Sequence, residues 1–178
     1  MKVSVYIATS LDGFIARENG DLDWLPGSDG KANSEDYGYQ DFMNSIDVMV
    51  MGRNTYEQVL SFGKWPYGEK RVVVLSSSLT HVAEKLTKTV EVRSGDPAEL
   101  VEELENSGVK HVYVDGGKTI QSFLNLGLIN EITITRVPIL IGNGISLFGE
   151  LGKDIKLYLI GTTSYENGFV QSKYAVIE

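Results

Sequence analysis

The segment DVMVMGRNTYE, residues 47–57, joins a strand to a helix through a turn rich in hydrogen-bond donors. Four apolar residues, 48–51, predict a strand buried on both faces, as in a parallel sheet. Gly52 follows directly, and Arg53 and Thr55 place a cation and a hydroxyl where the chain turns. A glycine turn at a helix N-terminus exposes backbone N–H groups that favour an anion. The segment therefore predicts a strand–turn–helix unit that can hold a phosphate.

A second segment, HVYVDGGKTIQSF at residues 111–123, repeats this plan with Gly116, Gly117, Lys118 and Thr119. A third strand, residues 72–75, ends in three serines, 76–78. Ligands of open α/β sheets bind outside the carboxyl ends of the strands, so we expect these three clusters to converge on one ligand. Glycines and threonines also occur in purely structural turns, and it is the repetition that favours a diphosphate-bearing ligand.

Hydrophobic periodicity predicts an α/β fold with a mainly parallel central sheet, helices on both faces and antiparallel C-terminal strands. Helices are expected after a cap at Asn33 or Ser34, after Asp96-Pro97 and after Gly117. Helical patterns are confined to the first two thirds of the chain. The predicted strands are residues 3–8, 48–51, 72–75, 90–92, 111–114, 131–137, 156–162 and 168–176.

The composition of the chain argues against several classes of function. The 178 residues suit a single domain, 1–178, and the net charge of −8 argues against nucleic-acid binding. The chain contains no cysteine and two histidines, His81 and His111, so no metal site is expected. The apolar runs fall short of the ~20 residues that a membrane span needs, and no signal peptide is apparent, so a cytoplasmic protein is expected.

The choice of cofactor follows from the donors. GGKT is not a P-loop, because Val112 stands where that motif needs its first glycine. Rossmann-fold proteins that use NAD place an acid near the ribose 2′-hydroxyl, whereas Arg53 and the serines offer donors, which suit the 2′-phosphate of NADPH.

The three segments, in this order and spacing, resemble the dihydrofolate reductase superfamily. YIATSLDGFIARENGDLDW, residues 6–24, is similar to its first strand and the mobile loop that follows. GLINEITITRVPILIGNGISLFG, residues 127–149, resembles the branch that contains the reductase domain of the bifunctional riboflavin-biosynthesis deaminase/reductase, and its stand-alone relatives. The deaminase zinc site needs cysteines, so only the reductase half is expected.

The resemblance implies a dihydrofolate reductase-like fold, a homodimer that uses the C-terminal strands, and NADPH as cofactor. Asp115 departs from dihydrofolate reductases, which usually have a glycine there, and this departure disfavours folate as the substrate. The positions that the resemblance assigns to cofactor binding are Ala8, Ile15, Gly52, Arg53, Thr55, Ser76, Ser77, Gly116, Gly117, Lys118 and Thr119.

The substrate is expected to contact Trp24, Asp36, Gln40 and Asp115. Asp36 is the candidate catalytic acid, on the apolar side of a helix where burial would raise its pKa; water is the alternative proton donor. Asp36 is also interpretable as an acid that only stabilises the first helical turn, and Trp24 as a core residue. A phosphate on the substrate would need a cation, for which the loop residues Arg17 and Lys31 are candidates.

The predicted function is an NADPH-dependent reductase that transfers a hydride to a pyrimidine- or pteridine-like small molecule. The riboflavin-pathway substrate, 5-amino-6-(5-phosphoribosylamino)uracil, is preferred within that class. The alternatives are a true dihydrofolate reductase and a non-catalytic NADPH-binding sensor.

Overall fold

The computed structural model describes residues 1–26 and 35–177. It contains an eight-stranded sheet, a two-stranded sheet and four α-helices. The helices are α1 (Tyr39–Ser45), α2 (Arg53–Ser61), α3 (Pro97–Asn106) and α4 (Gly117–Asn125). The strands are β1 (Lys2–Ser10), β2 (Phe14–Ala16), β3 (Val48–Gly52), β4 (Arg71–Leu75), β5 (Val90–Arg93), β6 (His111–Asp115), β7 (Glu131–Val137), β8 (Ile145–Ser146), β9 (Lys156–Ser164) and β10 (Val170–Ile177).

The large sheet has the strand order β5-β4-β3-β6-β1-β7-β10-β9. Its first six strands are parallel, and β10 and β9 add antiparallel hairpin strands beyond β7. This arrangement confirms the predicted mainly parallel sheet with antiparallel C-terminal strands. The carboxyl ends of β3, β4 and β6 consequently lie side by side at one edge, which is where the three donor clusters are.

Two cores cover the two faces of this sheet. Because alternate side chains of a strand point to opposite faces, β3 contributes Val48 and Val50 to one core and Met49 and Met51 to the other. The first core packs against α3 and α4, and the second against α1 and α2. The prediction of helices on both faces is therefore confirmed.

Two local features differ from the sequence prediction. The short strands β2 and β8, which are absent from the predicted strands, pair with each other in a separate small sheet. Helix α1 begins only at Tyr39, because Tyr37 and Gly38 adopt positive φ angles of 57° and 81° that interrupt a helix. The predicted caps Asn33 and Ser34 lie outside the described residues.

No helix in residues 1–26 and 35–177 is both long enough and apolar enough to cross a membrane.

Candidate functional site

Each of the two predicted turns connects a central strand directly to a helix. Strand β3 ends at Gly52 and α2 begins at Arg53, whereas β6 ends at Asp115 and α4 begins at Gly117. Because β3 and β6 are hydrogen-bonded neighbours in parallel register, the two turns lie next to each other and both helix N-termini lie at the same edge of the sheet.

The two turns interlock through their glycines and threonines. A Cβ atom at Gly52 would lie 2.8 Å from Oγ1 of Thr119, and a Cβ atom at Gly116 would lie 2.3 Å from Oγ1 of Thr55. Both distances are shorter than any ordinary carbon–oxygen contact, so each glycine leaves the space that the threonine of the other turn occupies. Gly116 also has a φ of 92°, which side-chain-bearing residues rarely adopt.

The N-termini of α2 and α4 differ from that of α3. In α3, the carboxylate of the N-cap residue Asp96 accepts the N–H of Ala98 at 2.8 Å, and Glu99 adds an acid to the first turn. Within the described part of the chain, no side chain caps α2 or α4, and neither helix has an acid in its first turn. These two N-termini therefore keep free donors and a positive dipole end for an external anion.

The serines after β4 lie against the first turn. Nη1 of Arg53 donates to Oγ of Ser78 at 3.0 Å, and Oγ of Ser76 accepts the N–H of Leu79 at 2.9 Å. The Arg53 side chain is 44% exposed, so its guanidinium is accessible to a ligand.

The three clusters open into one cavity of about 1210 Å³. This volume exceeds the ~300–1,000 Å³ of common ligand pockets, so a dinucleotide and a second small molecule can share the cavity. Every position predicted to bind the cofactor lines it: Ala8, Ile15, Gly52, Arg53, Thr55, Ser76, Ser77, Gly116, Gly117, Lys118 and Thr119. The expected convergence at one edge of the sheet is thus confirmed. Binding by these residues stays a prediction.

Comparison with known proteins decides the family. The model of the RibD C-terminal domain matches residues 1–171. The chain belongs to the RibD C-terminal domain family.

Three known proteins show what this RibD-family chain is similar to in sequence and in fold. A protein of Shewanella sp. PV-4 assigned to riboflavin biosynthesis is 40% identical, with a TM-score of 0.92 and full coverage, 100%, of both chains. Uncharacterized protein YwjB of Bacillus subtilis (strain 168) is 35% identical over 167 residues, 92% of each chain. Dihydrofolate reductase of Enterococcus faecalis, solved with NADP(H), has a TM-score of 0.66 at 19% identity, covering 99% of this chain and 97% of its own. The last similarity establishes a dihydrofolate reductase-like fold, and the predicted branch is confirmed by the family.

Asp115 is one of the carboxylates that this RibD-family chain places in the cavity, together with Glu18 and Glu57. It is half-buried at the end of β6, and its Oδ1 accepts the N–H of Gly116 at 2.9 Å. Burial raises the pKa of Asp115 to about 6, although the hydrogen bond from Gly116 partly offsets this increase. Burial and the nearby charge of Asp115 also raise the pKa of Tyr39, to about 12, and that of Tyr67. The carboxylate therefore lies among phenol rings.

Asp36 and Gln40 lie elsewhere. Asp36 is exposed and precedes α1, and its carboxylate accepts the N–H groups of Gly38 at 2.9 Å and Gln40 at 3.2 Å. These hydrogen bonds lower its pKa, so the expectation that burial raises it is wrong. Exposed Gln40 donates to Oδ1 of Asn44 at 3.2 Å. Neither residue is among the described residues that line the cavity.

Trp24 packs in a small core beside the cavity. It is 8% exposed and contacts Val137 and Phe169, with Ala8 and Leu25 at the edge of this cluster. Its buried Nε1 has no hydrogen-bond partner among the described residues. Ala8 and Leu25 line the cavity, so Trp24 supports its wall from behind, and direct contact with a substrate stays a prediction.

Ser94, Gly95 and Tyr67 are among the lining residues that the sequence prediction missed. Ser94 and Gly95 follow β5, and the rule that ligands bind at strand carboxyl ends could have identified them. Tyr67 lies in the connection between α2 and β4 and packs edge-on against Trp65, with ring centroids 5.0 Å apart. No local sequence pattern predicts that Tyr67 lines the cavity, because only long-range packing brings it there.

Proposed function

We propose that this protein is an NADPH-dependent reductase that transfers a hydride to a pyrimidine- or pteridine-like small molecule. The observation that carries the proposal is the pair of interlocked glycine turns, each followed by a cation, at one edge of the sheet and facing one cavity. The RibD C-terminal domain family and the NADP(H)-bound dihydrofolate reductase of the same fold support it.

The residues of the site fit such a cofactor. The free N–H groups of α2 and α4, with Arg53 and Lys118, would hold the diphosphate, and Ser76 and Ser77 beside Arg53 would hold the 2′-phosphate. The absent side chains of Gly52 and Gly116 make room for Thr119 and Thr55, which lets the two turns lie close enough to share one ligand. Ala8 and Ile15 supply the apolar wall that a nicotinamide ring needs.

When bound, NADPH supplies a hydride to a C=N or C=O bond of the substrate. The chain itself binds and orients the reactants, and its apolar lining excludes water from them. A proton must also reach the nitrogen or oxygen atom of the reduced bond. We propose that a single water molecule delivers this proton, because Asp115, whose pKa burial raises only to about 6, is mostly ionised at neutral pH and is left to orient the substrate. Exposed Asp36, with its lowered pKa, suits that task less well.

A cofactor titration tests this proposal first. NADPH and NADH are titrated into the protein while the fluorescence of Trp24 and Trp65 is followed. A charge-assisted hydrogen bond contributes about 1.5–3 kcal/mol, so NADPH should bind about tenfold or more tighter than NADH, and Arg53→Ala should abolish most of this preference. Arg71→Ala is the matched control, because Arg71 lies at the opposite end of β4 and pairs with Glu91 at 2.7 Å.

Three outcomes separate the functions. NADPH binding followed by oxidation at 340 nm with an aminopyrimidine or pteridine supports the reductase. Tight binding without turnover of any such compound favours a cofactor sensor. Failure of both cofactors to bind contradicts the proposal.

We also propose a homodimer that forms through β9. All nine residues of this edge strand are exposed, including the apolar side chains of Leu157, Tyr158, Leu159 and Ile160, of which Tyr158 is 64% exposed. An apolar edge strand that is open on both faces is a strong candidate for association. Light scattering should give about twice the chain mass of 19.6 kDa. Ile160→Lys should yield the monomer, and a wild-type monomer at working concentration contradicts the proposal.

A further inference from the structure

The charges around the cavity are unevenly distributed. Among the described residues that line it, the charged groups are Arg53, Lys118, Glu18, Glu57 and Asp115. Both cations belong to the glycine turns, where the proposed function assigns them to cofactor phosphates. The guanidinium of Arg53 also pairs with the carboxylate of Glu57, with Nε lying 3.5 Å from Oε1. The lining charges that are left for a substrate are therefore carboxylates.

Arg17 and Lys31, the sequence-based candidates for binding a substrate phosphate, add no cation to the described lining of the cavity. Arg17 donates from Nε and Nη2 to the carboxylate of Asp23 at 2.5 and 3.0 Å, and it is not among the described lining residues. Lys31 lies outside the described residues. A phosphate near Asp115 would face a carboxylate with no described cation to neutralise it, and desolvating an unpaired phosphate is costly.

Aromatic groups surround Asp115 on the same face of the sheet. Tyr113, two residues earlier in β6, points to this face, and its hydroxyl donates to the backbone oxygen of Tyr6 at 2.9 Å. The ring of Tyr6 lies 5.8 Å from that of Tyr39. Tyr67 lines the cavity together with Asp115 and is held edge-on by Trp65. Of these tyrosines, Tyr67 is the one that the described lining includes. Such a ring packs against a planar molecule, and the carboxylate of Asp115 in the same cavity pairs with an N–H donor.

We propose that the substrate is a planar nitrogen heterocycle that carries no phosphate group and donates a ring N–H to the carboxylate of Asp115. This inference rests on the proposed reductase function, because it assigns Arg53 and Lys118 to the cofactor. It separates this chain from a reductase of phosphoribosylated aminouracils, whose substrate brings a phosphate into the cavity.

Matched ligands test the inference in the intact protein. Three compounds are titrated by calorimetry at pH 7.5 into protein saturated with NADP⁺: 5,6-diaminouracil, the same ring with a ribityl group on its 6-amino nitrogen, and the 5′-phosphate of that compound. The oxidised cofactor prevents turnover, and NADP⁺ binding is measured beforehand in the same samples. We expect the phosphorylated compound to bind no tighter than its unphosphorylated counterpart.

Two variants test whether Asp115 binds the ring of the ligand. Asp115→Asn should weaken binding of 5,6-diaminouracil about tenfold or more, since a hydrogen bond to a charged group contributes about 1.5–3 kcal/mol. Its NADP⁺ affinity should stay within about twofold of the wild type, since Asn keeps the size of the side chain. Glu102→Gln, which removes the same charge from an exposed position on α3, should change neither affinity.

A second measurement needs no variant. If Asp115 accepts the ring N–H, wild-type affinity for 5,6-diaminouracil should fall as the pH drops through about 6, where this carboxylate becomes protonated. This result stands even if Asp115→Asn fails to fold.

Four results overturn the inference. They are a phosphorylated ligand that binds tenfold or more tighter than its counterpart, a folded Asp115→Asn protein with unchanged ring affinity, a wild-type affinity that is constant between pH 5 and 7.5, and binding of NADP⁺ without binding of any ring. In the first three cases the proposed reductase function survives, whereas binding of NADP⁺ without binding of any ring favours a cofactor sensor. Absence of NADP⁺ binding overturns both proposals.

Discussion

The interlocked turns make a quantitative prediction for Gly116→Ala. The new Cβ would lie 2.3 Å from Oγ1 of Thr55, and the residue would have to keep a φ of 92°. Holding a side-chain-bearing residue in that backbone region costs about 1–3 kcal/mol, and forcing an extra carbon into a packed site costs about 1–3 kcal/mol. We therefore expect Gly116→Ala to lower the free energy of unfolding by about 2–6 kcal/mol.

Urea denaturation followed by circular dichroism measures this loss, and a second glycine separates its two causes. Gly108 has a φ of 90°, and a Cβ atom there meets no described heavy atom within 4 Å. Gly108→Ala should thus show the backbone strain alone, about 1–2 kcal/mol. In the double variant Gly116→Ala/Thr55→Ala the clashing oxygen is gone, so about 1–3 kcal/mol should be recovered relative to the sum of the single changes.

The interlock would be refuted if Gly116→Ala destabilised the protein no more than Gly108→Ala does. Strict additivity of Gly116→Ala and Thr55→Ala would refute it as well, because two residues that share one space must show a coupling energy.

Two further predictions concern single side chains. Asp96→Ala removes the carboxylate that caps α3, so the free energy of unfolding should fall by about 0.5–2 kcal/mol in urea denaturation, whereas Asp96→Asn should retain most of it; equal losses in both variants would contradict a capping role. Asp115 has a folded-state pKa of about 6, above its ordinary value of 3.8, so the native state binds the proton more tightly than the unfolded chain. The contribution of Asp115 to stability therefore falls as pH rises from about 4 to 6 and is level above that. Asp115→Asn should gain stability relative to the wild type over this interval, and denaturation curves with a constant difference from pH 4 to 8 would show that the carboxyl group is not buried.

Local sequence information predicted most of the framework. Strand β7 was predicted with the bounds that the structure gives it, because alternating β-branched residues between polar ends are a strong local signal. Helix α3 was predicted from Asp96-Pro97, since a capping side chain and a first-turn proline act within a few residues. The pairing of β2 with β8 was not predicted. It joins segments about 130 residues apart, and a strand of two or three residues has no periodicity of its own.

In the candidate site, too, residues in local patterns were predicted correctly, and residues whose position depends on the tertiary structure were not. Gly52, Arg53 and Thr55 were recognisable because the order of strand, glycine, cation and hydroxyl is itself a local pattern. Asp36 was misplaced, because the positive φ angles of Tyr37 and Gly38 delay the start of α1, and the sequence shows no clear sign of that turn.

By itself, the sequence determined the α/β pattern, the family and the two donor-rich turns, since each of these depends on residue types at short spacing. Only the tertiary structure decided that Gly116 makes room for Thr55, that Tyr67 reaches the cavity, and that Asp115 rather than Asp36 has the raised pKa. Close approach, burial and the field of neighbouring groups depend on distances between segments far apart in the chain, and those distances exist only once the sheet has brought the segments together.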